Sequence, residues 1–256
     1  MSNLKVRVLR DTDGFKDVED IQRSAWDFGD LNTVPAHILE ALSKYDAGLV
    51  IGAYFEGQMV GFILVMETRD KKIQLLHMIG VIHNLQCGRG GMPIGETLFR
   101  FYGQEAARRG IEEVKWTFDP LLGQNASLYF HKLGAKAKRY IPNAYSETEK
   151  AGIYNGLPAD RLLVGWRVDT FRNTSLTNGE HPPLAGLGEI GNLSDFSVEI
   201  PIDINQLKES NLELAMKARL DSRAIFEKAL SMGYNVADFV HQKERGRNLY
   251  IFHRGG

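Results

Sequence analysis

The chain has 256 residues, 43% hydrophobic and 25% charged, which is enough apolar material for one large domain or two smaller ones. Its 31 Lys and Arg against 32 Asp and Glu leave a formal net charge of −1, so no bulk field favours nucleic acid or an anionic membrane. No apolar run approaches the roughly 20 residues that span a bilayer. Met1–Arg10 lacks the apolar stretch of a signal peptide, and the lone Cys87 cannot form an internal disulfide. A cytoplasmic setting is the expectation.

In chain order, Lys5–Leu9 reads as a strand and Phe15–Trp26 and Pro35–Tyr45 as helices. Leu49–Phe55 and Met59–Thr68 are strands joined by a turn at Glu56-Gly57. Ile73–Val81 alternates, which places Ile73, Leu75, His77, Ile79 and Val81 on one face. A glycine-rich loop, Cys87-Gly88-Arg89-Gly90-Gly91-Met92-Pro93, leads into a helix marked by Ile94, Leu98, Phe101 and Tyr102 and stopped by Gly110. Glu113–Phe118 is a strand, Asn125–Leu133 a short helix ending at Gly134, and Ala135–Ile141 and Leu162–Val168 are strands. Residues 172–192, poor in large apolar side chains, read as a linker between a domain over 1–171 and a module over 193–256. In that module Phe196, Val198, Ile200 and Ile202 alternate as a strand, with Pro201 marking an edge. Leu212–Met232 is a long helix, and Tyr234–Gln242 and Asn248–His253 form a terminal hairpin.

A strand feeding a glycine-rich loop and a helix suits a phosphate. Glycine lets the backbone approach, and the first helical N–H groups attract an anion. Taken alone the pattern also fits an ordinary glycine turn, and neither GxxxxGK[ST] nor GxGxxG occurs.

The element order over Lys5–Val168 resembles the GNAT N-acetyltransferase superfamily. The residues that carry the resemblance are Ile79-Gly80-Val81 ending the central strand, Ile94-Gly95 and Leu98 opening the helix, and Ala126 with Lys132-Leu133-Gly134. Narrower matches are His77-Met78, Trp116-Thr117-Phe118-Asp119-Pro120-Leu121, Asn125-Ala126 and Gly156-Leu157-Pro158-Ala159-Asp160-Arg161. Together they look like a subfamily with a C-terminal extension. The resemblance implies an α/β (α+β) fold with a central mixed, mostly antiparallel sheet flanked by helices, plus a small C-terminal α/β module. It implies acetyl-CoA or another acyl-CoA as co-substrate, held by Ile79, Gly80, Val81, Gln86, Gly88, Arg89, Gly90, Gly91, Ile94, Gly95, Asn125 and Tyr129. Two features depart from the family. The loop is longer than usual, and Phe130 stands where a tyrosine often protonates the leaving thiolate.

Acyl transfer to an amine needs a neutral nucleophile, a stabilised oxyanion and a proton for the thiolate. His77 matches a position at which some members of the superfamily relay protons; the other reading is a core histidine. Tyr140 and Tyr145 are candidate thiolate acids or packing aromatics. Asp119 either binds the acceptor amine or caps the next turn, and Asp160-Arg161 is an internal pair or an acceptor-binding one. On the Leu212–Met232 helix a stripe of Leu212, Met216, Leu220, Phe226 and Leu230 carries Arg219 and Arg223. Buried arginines need anions, either a carboxylate of the other domain or a carboxylate or phosphate of a ligand. No metal motif is present, and no metal is expected.

The expected function is transfer of an acyl group from acyl-CoA to an amine of a small molecule or peptide, with no nucleic-acid or membrane partner. The alternatives are a catalytically inactive protein that keeps the fold and binds CoA or another ligand, and a C-terminal module that serves a homodimer or docks a partner.

Overall fold

The computed structural model describes residues 4–26, 32–82, 85, 93–145, 156–171 and 181–255. The chain forms two compact units, Met1–Trp116 with Arg167–Asp169, and Thr117–Trp166 with Thr170–Gly256.

In the first unit the strands follow the order β1-β2-β3-β4-β5. They are β1 (Leu4–Val8), β2 (Gly48–Phe55), β3 (Gln58–Glu67), β4 (Ile73–Val81) and the start of β5 (Glu113–Phe118). Neighbours are antiparallel up to β4, and β4 and β5 run parallel. Glu56 and Gly57 both take positive φ, 51° and 84°, which is the geometry of a tight two-residue hairpin turn. Helices α1 (Thr12–Trp26) and α2 (Ala36–Lys44) cover one face of this sheet, where Phe15, Val18 and Leu39 pack with Phe62 and Leu64 of β3. On the other face lies α3 (Ile94–Arg108), which buries Ile94, Leu98, Phe99, Tyr102 and Ala106. There the Tyr102 hydroxyl donates to Gln74 Oε1 at 2.7 Å, and Gln74 Nε2 donates to Glu67.

The alternation predicted for β4 breaks in its middle. Leu64 faces Met78 while Val65 faces Leu76, so His77 is one extra residue, a β-bulge. Partners across an antiparallel ladder share a face, and the bulge therefore switches sides. Gln74 and Leu76 lie on the α3 face with Ile79 and Val81, while Leu75 lies opposite with Met78 and Gly80. A period of two read from sequence cannot see an inserted residue.

The second unit contains β6 (Lys136–Ile141) paired antiparallel with β7 (Arg161–Arg167), and a three-stranded sheet of order β8-β10-β9. Its strands are β8 (Asp195–Pro201), β9 (Tyr234–Gln242) and β10 (Arg247–Arg254), and Pro201 does sit on an edge strand. Residues at 183–185 run beside β8, where Ala185 N donates to Ser197 O at 3.1 Å and Ser197 N to Pro183 O at 2.8 Å. Helix α4 (Gly123–Ala126) continues into a π-helical turn, Ser127–Lys132, with Leu133 N bonded to Leu128 O, and Gly134 leaves it at φ 70°. Helix α5 (Ile204–Ser210) has no counterpart among the predicted elements. Asp203 caps it by accepting from Asn205 N and Gln206 N.

Helix α6 (Leu212–Ser231) buries Ala215, Arg219, Ser222, Phe226 and Ala229, while Leu212 and Leu220 are exposed. The apolar stripe expected from sequence is thus only partly the buried face: Phe226 and the Arg219 it carries are buried, and Leu212 and Leu220 are not. The small residues Ala215, Ser222 and Ala229 let the helix approach its neighbours closely, and Arg219 and Phe226 fill the space between them. No described helix is long and apolar enough to cross a membrane.

Candidate functional site

The first unit supplies the end of β4 and the start of α3. Among the described residues the parallel ladder of β4 with β5 covers Ile73–Leu75 against Glu113–Lys115, whereas β4 stays paired with β3 as far as Val81. The bulge at His77 falls just past the end of the parallel ladder. Its side chain is exposed, yet neighbouring atoms remove enough water to push the imidazole below the ordinary histidine value. His77 is therefore neutral at pH 7.

Helix α3 starts on the same strands. A Cβ at Gly61 would stand 2.9 Å from Gly80 O and 3.1 Å from Ile94 Cγ2, so a glycine on β3 lets β4 and the first turn of α3 both sit close against that strand. Pro93 stands at the N-cap of the helix and supplies no side-chain cap to its leading N–H groups. Ile79, Gly80, Val81, Ile94 and Gly95 are all placed in this region. Gln86, Gly88, Arg89, Gly90 and Gly91 lie outside the described residues, as does Cys87.

The other predicted site residues belong to the second unit. Tyr129 is buried in the π-helical turn, edge-on to Phe118 at 5.0 Å, and burial raises its phenol above the usual value. Asn125 lies half-buried on α4. Tyr140 donates to Asp160 Oδ2 at 2.7 Å, and burial, reinforced by the Asp160 charge, holds its proton tightly. Tyr145 is partly exposed with the Arg161 guanidinium over its ring at 4.9 Å.

Arg219 and Arg223 were expected to meet either a carboxylate of the protein or a ligand anion. The structure gives both to the protein. Arg219 forks onto Asp119 at 2.8 and 2.5 Å, and Arg223 onto Asp160 at 2.9 and 2.7 Å. Burial alone would lower the Arg219 pKa, but the charge and hydrogen bonds of Asp119 outweigh it and the guanidinium stays charged. Asp119 also accepts from Leu121 N at 2.9 Å, so it caps its own turn as well. Its carboxylate thus holds Arg219 and its own turn together. Asp160 pairs with Arg223 and Tyr140, not with Arg161.

Sequence reasoning missed Tyr250, whose hydroxyl donates to Pro120 O at 2.6 Å, and the pair of His131 Nδ1 with Asp238 Oδ1 at 2.9 Å. No spacing along the chain announces either contact, because the partners are 130 and 107 residues apart. Among the described residues no group of three His, Cys, Asp or Glu side chains is placed to hold a metal.

No protein-family model and no curated protein matches the chain. Solved structures do. The yncA protein of Salmonella typhimurium, solved with its cofactor acetyl-CoA, is similar at a TM-score of 0.52 and 16% identity, over 69% of this chain and 100% of its own. A ribosomal-protein-alanine N-acetyltransferase of Escherichia coli gives 0.51 and 17%, over 68% and 99%. A GNAT-family protein of Desulfovibrio desulfuricans gives 0.50 and 14%, over 64% and 99%. At these identities the likeness speaks to the fold, and it agrees with the mixed sheet, the β4–β5 parallel pair and the helices described above. The chain has the fold of the GNAT acetyltransferases.

Proposed function

We propose that the protein is an acyl-CoA-dependent N-acyltransferase that moves an acetyl or other acyl group to the amine of a small molecule or peptide. The observation that carries this reading is the end of β4, where the parallel ladder stops, a bulge turns out a neutral imidazole, and the start of α3 packs against Gly61 of the neighbouring strand. Backbone at Ile79–Val81 would hold the acyl donor, and the leading N–H groups of α3 would meet its phosphates. His77 would take the proton of the attacking amine. The fold likeness to a protein solved with acetyl-CoA supports the choice of donor.

A second reading, donor binding without turnover, draws on two observations. Phe130 has no proton to give, and the Tyr140 proton is engaged by Asp160. Both readings require CoA binding. Acetyl-CoA at a hundredfold excess over its dissociation constant should stabilise the fold by about 2.7 kcal/mol, read as a rise in melting temperature that NAD and ATP do not give. No rise at millimolar acetyl-CoA would reject both readings.

A further inference from the structure

Within the first unit a buried polar chain sits a few residues before the β4 bulge. Gln74 is fully buried on the α3 face, beside the apolar Leu76 and Val114. Its amide is engaged at both ends: Oε1 accepts from the Tyr102 hydroxyl at 2.7 Å, and Nε2 donates to Glu67 Oε1 at 2.6 Å. Burial pushes the Tyr102 phenol well above its usual value, so it stays a donor. Glu67 is also the residue that faces Gln74 across the strands. At the other end of the same ladder Gly61 faces Val81, and its missing Cβ lets Gly80 O approach closely.

Between these two fixed ends Gly61–Glu67 has seven residues and Gln74–Val81 has eight, so one residue of β4 must bulge out. That residue is His77. The straight alternative slips the first half of β4 by one position. Glu67 would then face Leu75, Val65 would face His77, and the imidazole would turn onto the α3 face. The leucines do not choose between the two registers, because adjacent Leu75 and Leu76 put one leucine on each face in either. Gln74 does choose. In the slipped register it points away from α3, both of its hydrogen bonds are lost, and the Tyr102 hydroxyl loses this acceptor inside the core.

We propose that Gln74, held by Tyr102, is a positioning residue for His77. The buried amide fixes the register that forces the bulge, and the bulge keeps the imidazole off the α3 face. The meaning of this for acyl transfer rests on the reading of His77 as the base given above.

The test follows the His77 imidazole by NMR in the full chain, its signal identified as the one missing from His77→Gln. Wild type is compared with Gln74→Leu, with Tyr102→Phe and with Tyr54→Phe as control. Tyr54 accepts from Arg7 at 3.2 Å and pairs with Met59, at the opposite end of β3 from Glu67. In Gln74→Leu a second His77 signal should appear, because apolar side chains at 74, 75 and 76 then suit either register. It should titrate at lower pH than the first, since the slipped ring is buried, and cross-strand contacts should place Glu67 opposite Leu75. In Tyr102→Phe the slipped register should gain about fivefold in population, the value of one net hydrogen bond, read by saturation transfer. Tyr54→Phe should match the wild type.

A single His77 signal with the wild-type titration in both Gln74→Leu and Tyr102→Phe overturns the proposal, whatever their melting temperatures, and leaves the base reading standing. A second signal in Tyr54→Phe as well also overturns it, since any loosening of the sheet would then suffice. If Gln74→Leu does not fold, Tyr102→Phe decides alone. Unaltered acyl transfer in His77→Gln rejects the base reading instead, and the register result stands by itself.

Discussion

His77→Gln is expected to lower acyl transfer by about 10²–10⁴-fold while leaving acetyl-CoA affinity close to that of the wild type. The imidazole stands at the bulge of β4, at the edge of the region assigned to the thioester. Desolvation depresses its pKa, so the neutral base form persists from alkaline pH down to below the ordinary histidine value of about 6.5. Turnover should therefore be flat across neutral pH and fall on the acid side as the ring takes a proton. In His77→Gln that acid limb should disappear along with most of the rate. A pH–rate profile that keeps both its height and its acid limb in the variant would return His77 to a structural role.

Arg219→Met should cost about 3–5 kcal/mol of folding stability, because it leaves the Asp119 carboxylate buried with no counter-charge. Urea unfolding measures this directly. The double variant Asp119→Leu with Arg219→Met should recover most of the loss, since removing both charges also removes their desolvation cost. It would still lack the turn cap at Leu121 N. A single variant as stable as the wild type would contradict the buried pairing itself.

Much of the fold could be read along the chain because the relevant signals are local. The Glu56-Gly57 turn, the apolar runs of β2 and β3 and the glycine ends at Gly110 and Gly134 need only neighbouring residues to state their geometry. The β4 bulge was hidden because alternating side chains look the same with or without one extra residue facing the partner strand. The buried face of α6 was misplaced for a related reason. Leu212, Leu220 and Leu230 belong to the stripe read from sequence, yet the contact face is chosen by the small Ala215, Ser222 and Ala229 and by what Arg219 must reach. Helix α5 was legible in principle, since Asp203 stands three residues ahead of Gln206 in a capping pattern.

The candidate site divides along the same line. The end of β4 and the start of α3 could be named from their strand, glycine and helix order. The need of Arg219 and Arg223 for anions could be read as well, because an arginine on a buried face requires one. Which anions could not be read, since Asp119 and Asp160 lie 100 and 63 residues away. Nor could Tyr250, which looks like one more strand aromatic until Pro120 is brought to its hydroxyl.

Acyl-donor binding is the claim on which the rest depends, and native mass spectrometry of the full chain with acetyl-CoA tests it most directly. The account predicts a complex of one chain with one acetyl-CoA, displaced by CoA and unaffected by NAD. A spectrum that shows only the free chain at millimolar acetyl-CoA would contradict it.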